Sequence, residues 1–276
     1  MKNDYLTPTQ AERCQVAAVM ANERLVAINV GLAPVVAKNS LYTRYGKRIL
    51  DIVFALVALL LTLPLNLVIG LITYFDVGRP ILFKQQRTGL NGKLFSVVKF
   101  RNMRDERNAA GELLPPNERV THWGKFVRKT SMDELLNLIN ILKGEMSVIG
   151  PRPLLPEYLP RYHRRHLMRH SMRPGLECPP RERMKRAWTW QEQLDNDVWY
   201  VEHVSFWVDC KMMWHLLHFM FHGNSVRARS EAMRGFFMGY SEEGIALEWS
   251  DISNEYIAKA LDKNPCRLDP EQTAKP

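Results

Sequence analysis

Asp133 and Glu134 are the two side chains whose types and spacing point most directly to chemistry. They lie at the start of an apolar-periodic stretch from Ser131 to Leu142, which predicts a helix with both carboxylates in its first turn. There the helix dipole favours negative charge, lowers both pKa values and keeps both groups ionised. An ionised carboxylate can ligate Mg²⁺ or attack phosphorus. Acidic first-turn residues are also common capping devices, and the pair alone favours that simpler role.

Basic residues close to this pair in the sequence change the interpretation. A site that handles phosphate needs a ligand for a hard cation together with fixed guanidinium donors, whose planar fork meets phosphate oxygens in pairs. A solvated basic surface is the plain alternative. The basic residues in question are Lys99, Arg101, Arg128, Lys129 and Arg152.

Other chemistry-bearing patterns are weaker. Two sets of histidines recur at i, i+3 and i+7, but arginines dilute the first set and aromatic residues the second, so metal binding is the lesser interpretation of both. Phosphate-loop, dinucleotide and hydrolase-elbow motifs do not occur, and the four cysteines form no C-x-x-C pair, which gives no support to a disulfide framework or a zinc ribbon. The histidines are His163, His166, His170, His215, His218 and His222.

Two local elements position these residues. The helix has recognisable ends, with Ser131 as N-cap, Glu134 completing a capping box and Gly144 as C-cap. Upstream, residues 81–100 contain two apolar strands around an Asn91-Gly92 turn. This pattern predicts a β-hairpin, because Asn-Gly tolerates positive φ.

Composition and charge set the outer limits. The chain has 276 residues, of which 46% are hydrophobic and 24% charged, and this excludes a disordered chain and a membrane protein with many spans. Lysine and arginine total 38 against 29 acidic residues, a net charge of +9. This charge indicates an anionic partner: nucleic acid, phospholipid headgroups or a phosphorylated substrate.

Residues 52–75 are membrane-embedded by composition, since they carry no charge and are dense in Leu, Val and Ile. Pro64 lies in the middle, where it removes a backbone hydrogen bond, and Asn66 adds an amide beside the break, so we expect a bend. Basic residues flank both ends, and the positive-inside rule therefore gives no clear orientation. This symmetry favours a re-entrant hairpin with both ends in the cytoplasm over a kinked single-pass anchor.

The remaining segments are interpreted as extensions and surface helices. Residues 1–40 form an N-terminal extension with a helix from Ala11 to Val30, and residues 223–276 form a C-terminal extension that is partly disordered. The arginine-rich segment 162–173 and the aromatic segment 206–221 have the composition of helices at a headgroup boundary. The second also fits an ordinary core helix.

Several motifs follow one another in a specific order over residues 41–222. They are Tyr45-Gly-Lys-Arg-Ile-Leu-Asp51, the proline-broken apolar segment, Gln85-Gln-Arg-Thr-Gly89, Lys99-Phe-Arg-Asn-Met103, Ser131-Met-Asp-Glu-Leu-Leu136 and Lys143-Gly-Glu-Met-Ser-Val-Ile-Gly-Pro-Arg-Pro153. In this order they resemble the bacterial sugar transferases, the monotopic polyprenyl-phosphate phosphoglycosyl transferases, and most closely the small enzymes that initiate bacterial glycan assembly.

The resemblance implies an α+β, mainly α fold with a β-hairpin and a proline-broken re-entrant membrane helix. It implies transfer of a sugar 1-phosphate from a UDP-sugar, an N-acetylated amino sugar, to undecaprenyl phosphate with Mg²⁺, as the first membrane step of glycan or polysaccharide assembly. The location implied is the cytoplasmic face of the bacterial inner membrane, in contact with phospholipid and without nucleic acid; a homodimer stays open. The implied division is 1–40 extension, 41–78 membrane helix, 79–222 catalytic domain and 223–276 extension.

The resemblance also implies roles for individual residues. Asp133 becomes the nucleophile that forms a phosphosugar-enzyme intermediate and a ligand of Mg²⁺, with Glu134 as its catalytic neighbour. Pro64 becomes the membrane break. The substrate-binding positions implied are Lys99, Arg101, Arg128, Arg152 and Asp209.

Two departures from the family pattern stand out. Leu63-Pro64 replaces Ser-Pro at the membrane break, which drops a hydroxyl but keeps the bend. Arg173-Pro-Gly-Leu-Glu-Cys-Pro-Pro180 replaces Arg-Pro-Gly-Ile-Thr-Gly, so the loop on the donor side is altered. A non-catalytic, membrane-bound scaffold is therefore the alternative function. A single-pass basic anchor for nucleic acid or lipid is a further one, supported by charge alone.

Overall fold

The computed structural model describes residues 9–109, 111–180, 188–221 and 235–262. These ranges are mainly helical with three two-stranded sheets, so the predicted α+β, mainly α class is confirmed. The helices are α1 (Gln10–Val30), α2 (Lys47–Asp76), α3 (Pro116–Arg119), α4 (His122–Thr130), α5 (Asn137–Lys143), α6 (Arg164–Leu167), α7 (Trp190–His203), α8 (Phe206–Phe221) and α9 (Asn254–Asp262). The strands are β1 (Leu82–Thr88), β2 (Leu94–Phe100), β3 (Ser147–Ile149), β4 (Gly175–Glu177), β5 (Phe237–Tyr240) and β6 (Ala246–Glu248).

The β1–β2 hairpin forms as predicted, with the two strands antiparallel over their whole length. Asn91 and Gly92 have φ values of 53° and 75°, the left-handed conformation that these two residue types adopt at low cost. Phe95 and Val97 of β2 are buried in the main apolar cluster of the domain. The hairpin is therefore packed on the core, and it fixes the position of Lys99 near the end of β2.

The predicted helix from Ser131 to Leu142 is wrong at its start. Ser131 has φ 57° and ψ 20°, a left-handed conformation, and it ends α4 instead of capping the next helix. A 3₁₀ turn, Met132–Glu134, follows, and α5 begins only at Asn137, without a side-chain cap. The reason is that α4 extends up to Ser131, so the chain has to reverse there. Gly144 ends α5 with φ 86°, as predicted.

Helix α2 is the segment that composition predicts to be membrane-embedded. It has 30 residues with Pro64 inside, and it is long and apolar enough to cross a membrane. Thr62 Oγ1 donates to the carbonyl of Ala58 at 2.7 Å, and Asn66 Nδ2 donates to Thr62 Oγ1 at 3.3 Å. The Thr62 hydroxyl thus bonds to the carbonyl four residues before it and not to that of Leu60, the carbonyl that Pro64 leaves without its helical donor. Among the exposed apolar side chains of α2 are Leu60, Leu61, Leu63, Leu67, Val68, Leu71 and Phe75.

Both ends of α2 are fixed to the same domain. At its start, Arg48 donates to the carbonyls of Ile141 and Leu142 in α5 at 2.6 and 3.0 Å, and buried Asp51 accepts from the backbone N–H of Val148 at 2.9 Å. At its end, Trp123 Nε1 of α4 donates to Thr73 Oγ1 at 3.2 Å. A straight helix of this length would measure about 45 Å. The polar anchors therefore hold two distant parts of α2 on one body.

The arginine-rich segment 162–173 is not a surface helix, so its predicted place at a headgroup boundary is wrong. It forms α6 and a 3₁₀ turn whose side chains Arg169 and His166 are buried. Arg169 pairs with Asp197 of α7, and this internal partner is what allows the charge to be buried. In α8, by contrast, Met212 is buried while aromatic side chains are exposed. The exposed aromatic residues of α8 are Phe206, Trp207 and Trp214.

Helix α1 matches the predicted helix from Ala11 to Val30, and it packs against residues from the other end of the sequence. We call α1, β5, β6 and α9 together the terminal unit. Arg24 of α1 donates to the carbonyl of Tyr240 at 2.7 Å. The predicted N- and C-terminal extensions therefore pack together; the tail from residue 263 lies outside the described residues. The apolar cluster within the terminal unit consists of Val16, Ala17, Met20, Met238, Ile252 and Ala260.

Candidate active site

A cavity of about 550 Å³ opens beside the 3₁₀ turn that carries Asp133 and Glu134. The end of β2, the end of α4, the loop after β3 and the end of β4 form its wall. All of the predicted site residues in the catalytic domain except Asp209 line this one cavity. Its charged lining residues are Lys99, Arg101, Arg119, Arg128, Arg152, Asp105, Asp133, Glu134 and Glu177.

The parallel pair β3–β4 fixes one wall of the cavity. Ile149 pairs with Glu177 in this short sheet. Beside this pair, a Cβ atom on Gly175 would lie 2.2 Å from the backbone nitrogen of Gly150. The two backbone segments can approach this closely only because both residues are glycine. This approach brings Arg152, two residues after Gly150, next to Glu177.

Glu134 is held between two cations. Its Oε1 accepts from Lys99 Nζ at 2.6 Å and from Arg152 Nη2 at 2.9 Å. Burial would raise the pKa of Glu134, but Arg152 and Lys99 outweigh it and lower that pKa to about 2. The predicted low pKa is confirmed for this residue, although the cause is the pair of cations and not a helix dipole.

Asp133 lies in a different environment, although it is the adjacent residue. Its side chain is buried, and its Oδ2 accepts from Asn102 Nδ2 at 3.3 Å. Burial and the negative charge of Glu134 raise the pKa of Asp133 to about 6, against the opposing effect of Lys99 and Arg128. The predicted low pKa is wrong for Asp133, because the residue lies in a 3₁₀ turn inside the cavity and not in the exposed first turn of a helix.

Arg128 and Arg101 differ in how they are engaged. Within the described ranges, Arg128 has no hydrogen bond or ion pair, although Asp133 acts on it electrostatically; burial lowers the pKa of Arg128. Arg101 donates to the carbonyl of Val77 at 2.8 Å and to Asp105 at 3.2 Å. Arg128 can therefore meet a ligand anion directly, whereas Arg101 ties the end of β2 to the end of α2.

Arg152 is supported from behind by a second arginine. Arg169 Nη2 donates to the backbone carbonyl of Arg152 at 2.7 Å and to Asp197 at 2.8 Å. The side chains of Arg169 and Asp197 are each only 1% exposed. This buried ion pair therefore fixes the backbone from which Arg152 extends into the cavity.

Asp209 is not brought into the cavity. Its carboxylate accepts from Lys47 Nζ at 2.7 Å, from the hydroxyl of Tyr42 at 2.6 Å and from the hydroxyl of Tyr200. These partners place it at the start of α2. The structure thus gives Asp209 an anchoring contact, and its predicted binding of substrate has no support from this geometry.

The histidines of the first set, His163, His166 and His170, are buried among protein groups. The ring of His166 lies between the hydroxyl of Tyr240 at 2.8 Å and Asp195 at 3.0 Å. Burial lowers the pKa values of His163 and His170 to about 3. In the part of the chain that the structure describes, no three His, Cys, Asp or Glu residues are close enough together to hold a metal ion. His222 of the second set lies outside the described residues.

Asn102, Glu177 and Arg119 are among the cavity residues for which the sequence predicts no role. Asn102 is part of the Lys99-Phe-Arg-Asn-Met103 motif, but nothing in the sequence indicates that it contacts Asp133. Glu177 lies in the loop that departs from the family pattern, and this departure is what could have drawn attention to it. Arg119, which belongs to the short helix α3, had no signal at all.

Comparison with known proteins identifies the family of this chain. The family model for bacterial sugar transferases matches residues 42–223. An uncharacterized sugar transferase, EpsL, of Bacillus subtilis is 41% identical over 60% of this chain and 83% of its own length. A putative undecaprenyl-phosphate N-acetylgalactosaminyl 1-phosphate transferase of Bacillus subtilis is 40% identical over 41% of this chain, which spans 64% of that relative. The UDP-glucose:undecaprenyl-phosphate glucose-1-phosphate transferase of Caulobacter vibrioides is 33% identical over 60% of this chain and 66% of its own length. The chain belongs to the bacterial sugar transferase family.

Proposed function

We propose that this protein is a polyprenyl-phosphate phosphoglycosyl transferase that moves a sugar 1-phosphate from a UDP-sugar to undecaprenyl phosphate. The observation that carries the proposal is Asp133, a buried carboxylate with a raised pKa in a cavity lined by five cationic side chains. Two relatives named for sugar-phosphate transfer to undecaprenyl phosphate support the reaction class. The amino-sugar donor remains our expectation.

In the first step, a carboxylate oxygen of Asp133 attacks the phosphorus that bears the sugar. A bond forms between this oxygen and phosphorus, and the bond from phosphorus to the bridging oxygen breaks, so UMP leaves. With a pKa of about 6, Asp133 is mostly ionised at neutral pH and is a better nucleophile than an ordinary aspartate. Its burial keeps competing water away.

In the second step, a phosphate oxygen of undecaprenyl phosphate attacks the same phosphorus. The bond to Asp133 breaks, and the carboxylate is restored. Arg128 and Arg152 are placed to stabilise the charge on the transferring phosphoryl group in both steps. Glu134 stays ionised at any physiological pH, so we assign it the task of holding Lys99 and Arg152 in place and not the task of moving a proton.

We propose that the cavity also binds Mg²⁺, through one protein carboxylate. This ion is held in proteins by one or two carboxylates, with water and substrate phosphates completing its shell. Of the four cavity carboxylates, Asp133 is the one without an ion pair among the described residues, and we propose it as the protein ligand. When bound, the ion neutralises phosphate oxygens of the donor.

A lipid acceptor requires a site at the membrane surface, and α2 supports this arrangement. Its apolar side chains are exposed, both of its ends are anchored on one domain, and exposed Trp207 and Trp214 on α8 suit a headgroup boundary. We therefore propose a re-entrant α2 that bends at Pro64 in the inner membrane, with the domain on the cytoplasmic face.

Cysteine labelling tests the topology. Asn39→Cys and Lys84→Cys, each in a background without native cysteines, should both be protected from an impermeant maleimide in intact cells and both react after lysis. Labelling of one position but not the other in intact cells would establish a single-pass anchor instead.

UMP release tests the chemistry. Purified protein with undecaprenyl phosphate, Mg²⁺ and a panel of UDP-sugars should release UMP, and Asp133→Asn should lower the rate by at least about 10³-fold because the nucleophile is gone. Without the acceptor, the native protein should carry one sugar phosphate on Asp133, detectable by mass spectrometry. Asp262→Asn, at the end of α9 and exposed, is the matched control. Equal turnover by Asp133→Asn would sink the mechanism.

The alternative is a membrane-bound scaffold without catalysis. One observation favours it. Nη1 of Arg152 already donates to Glu177 Oε2 at 3.3 Å, so Glu177 would compete with a donor phosphate for this nitrogen. Binding of undecaprenyl phosphate without UMP release from any donor would support this alternative.

A further inference from the structure

We propose that Glu177 is a specificity-determining residue that favours donors with a neutral sugar and discriminates against donors with an acidic sugar. The inference rests on the proposed function, because it deepens the choice of donor for the same cavity. It starts from the partners of Arg152, the arginine placed to meet the donor phosphate.

Arg152 lies between two carboxylates. Its Nη2 donates to Glu134 Oε1 at 2.9 Å, and its Nη1 donates to Glu177 Oε2 and to the carbonyl of Leu176, both at 3.3 Å. The contact with Glu134 is the shorter one and is shared with Lys99. A phosphate that binds Arg152 should therefore displace Glu177 more easily than Glu134, because the contact with Glu177 is longer and weaker.

Glu177 is held where it is by its own backbone. It is paired with Ile149 in the β3–β4 sheet, and its Oε1 accepts from the backbone N–H of Cys178 at 3.1 Å. Its side chain is 16% exposed and faces the cavity. The carboxylate thus stays in the wall as a fixed negative charge even when Arg152 turns towards a phosphate.

The position of the sugar follows from the chemistry of the first step. The phosphorus lies beside Asp133 and Arg152, and a single oxygen joins it to the sugar ring. Glu177 accepts from Nη1 of Arg152 and Glu134 from Nη2, so a phosphate held by Arg152 would bring the attached sugar close to Glu177. Sugar hydroxyls and amide N–H groups can donate to a carboxylate there, whereas a carboxylate on the sugar would be repelled at close range.

The charge balance of the cavity supports this role. Without Glu177, the cavity lining would have five cations against three carboxylates instead of four. The glutamate therefore reduces the general attraction for anions at the point where donors differ.

UDP-glucose and UDP-glucuronic acid form a suitable test pair, because they differ only in a hydroxymethyl group against a carboxylate on the sugar. Dissociation constants, by isothermal titration, and kcat/KM, by UMP release, are measured for both donors with the full chain in nanodiscs. The variants are Glu177→Gln, which removes the charge and keeps the shape, and Glu177→Thr. The matched control is Glu145→Gln, whose carboxylate bonds to Asn140 at 2.7 Å outside the cavity.

The expected result is a relative preference for UDP-glucuronic acid that rises at least ten-fold in both Glu177 variants, in kcat/KM and in binding, and stays unchanged in Glu145→Gln. A rise of less than three-fold in both Glu177 variants overturns the inference while leaving the proposed function intact. If the native protein binds the two donors but releases no UMP from them or from any other donor in the UDP-sugar panel, the proposed function fails, and the ratio of dissociation constants still decides the role of Glu177. If it binds neither donor, the inference about Glu177 is overturned, while the proposed function is decided by the rest of the panel.

Discussion

Two neighbouring groups of cationic side chains and carboxylates meet at Arg152. The side chain of Arg152 belongs to the first group, and its backbone carbonyl accepts from Arg169 of the second. The two groups differ in their access to solvent. The open cluster consists of Lys99, Glu134, Arg152 and Glu177, whose side chains are between 16% and 30% exposed at the cavity wall. The closed pair consists of Arg169 and Asp197, each 1% exposed. The chemistry of the contacts is the same in both groups.

The difference shows how solvent access assigns roles to similar ion pairs. In the open cluster, a ligand phosphate can replace one carboxylate, because the cations are hydrated and their contacts cost little to exchange. In the closed pair, neither charge can leave its partner without remaining buried and uncompensated. The closed pair therefore fixes the position of Arg152, and the open cluster is available to bind.

The largest expected effect is on the closed pair. Asp197→Ala leaves Arg169 buried without its partner and should lower the free energy of unfolding by about 3–5 kcal/mol. The measurement is urea denaturation in detergent micelles. Glu202→Gln, which removes the partly exposed partner of Arg165, is the control and should cost about 1 kcal/mol or less. A similar small loss in Asp197→Ala would erase the distinction between the two groups.

The next effect is on the open cluster, where activity should suffer more than stability. Glu134→Gln removes the shared acceptor of Lys99 and Arg152, so UMP release should fall about 100-fold while the free energy of unfolding falls by only about 1–2 kcal/mol. The contribution of Glu134 to stability is present above its unfolded pKa near 4.5 and is lost as the pH falls towards its folded value of about 2. Urea denaturation at pH 7 and at pH 3 should therefore show the cost of Glu134→Gln shrinking at the lower pH.

Asp133 should behave in the opposite way. Its folded pKa of about 6 lies above the unfolded value, so the group favours folding below about pH 4 and this contribution is lost as the pH rises through 6. Asp133→Asn should therefore be inactive yet more stable than the native protein at pH 7.5, by about 1–3 kcal/mol. The measurement is the melting temperature from pH 4 to 8 in metal-free buffer. A variant that is less stable at pH 7.5 would contradict the assigned burial of Asp133.

The site was predictable from sequence as far as residue types and motif order determine it. Asp133, Glu134, Lys99 and Arg152 meet in one cavity because the hairpin and the β3–β4 pair are encoded locally by turn residues and glycines. The left-handed Ser131 was not predictable, because a serine before Glu at the right spacing favours a capping box until the preceding helix is known to end there.

What sequence could not supply was the effect of partners distant along the chain. The opposite pKa shifts of Asp133 and Glu134 depend on which carboxylate Lys99 and Arg152 reach, and this is a matter of tertiary distances. The burial of Arg169 likewise depends on Asp197, which lies on another helix. An arginine-rich segment considered alone has the composition of a surface.

The smallest expected effect is that of Glu177→Gln on stability. Its contact with Arg152 is long and lies in the open cluster, so the free energy of unfolding should change by less than about 1 kcal/mol. Urea denaturation beside Asp197→Ala gives the direct comparison. A decrease in the free energy of unfolding of more than about 2 kcal/mol would show that Glu177 stabilises the fold, as the closed pair does.

The terminal unit has a consequence for how the protein is made. Residues of α1 leave the ribosome about 200 positions before β5 and α9, the segments that cover its apolar face. Until then that face has to be shielded, by the nascent domain or by a chaperone. Deleting α1, or deleting the segment with β5, β6 and α9, would expose the apolar cluster that the two share. Trimming this chain to residues 42–223, the segment that matches the family, would remove both sides of that cluster.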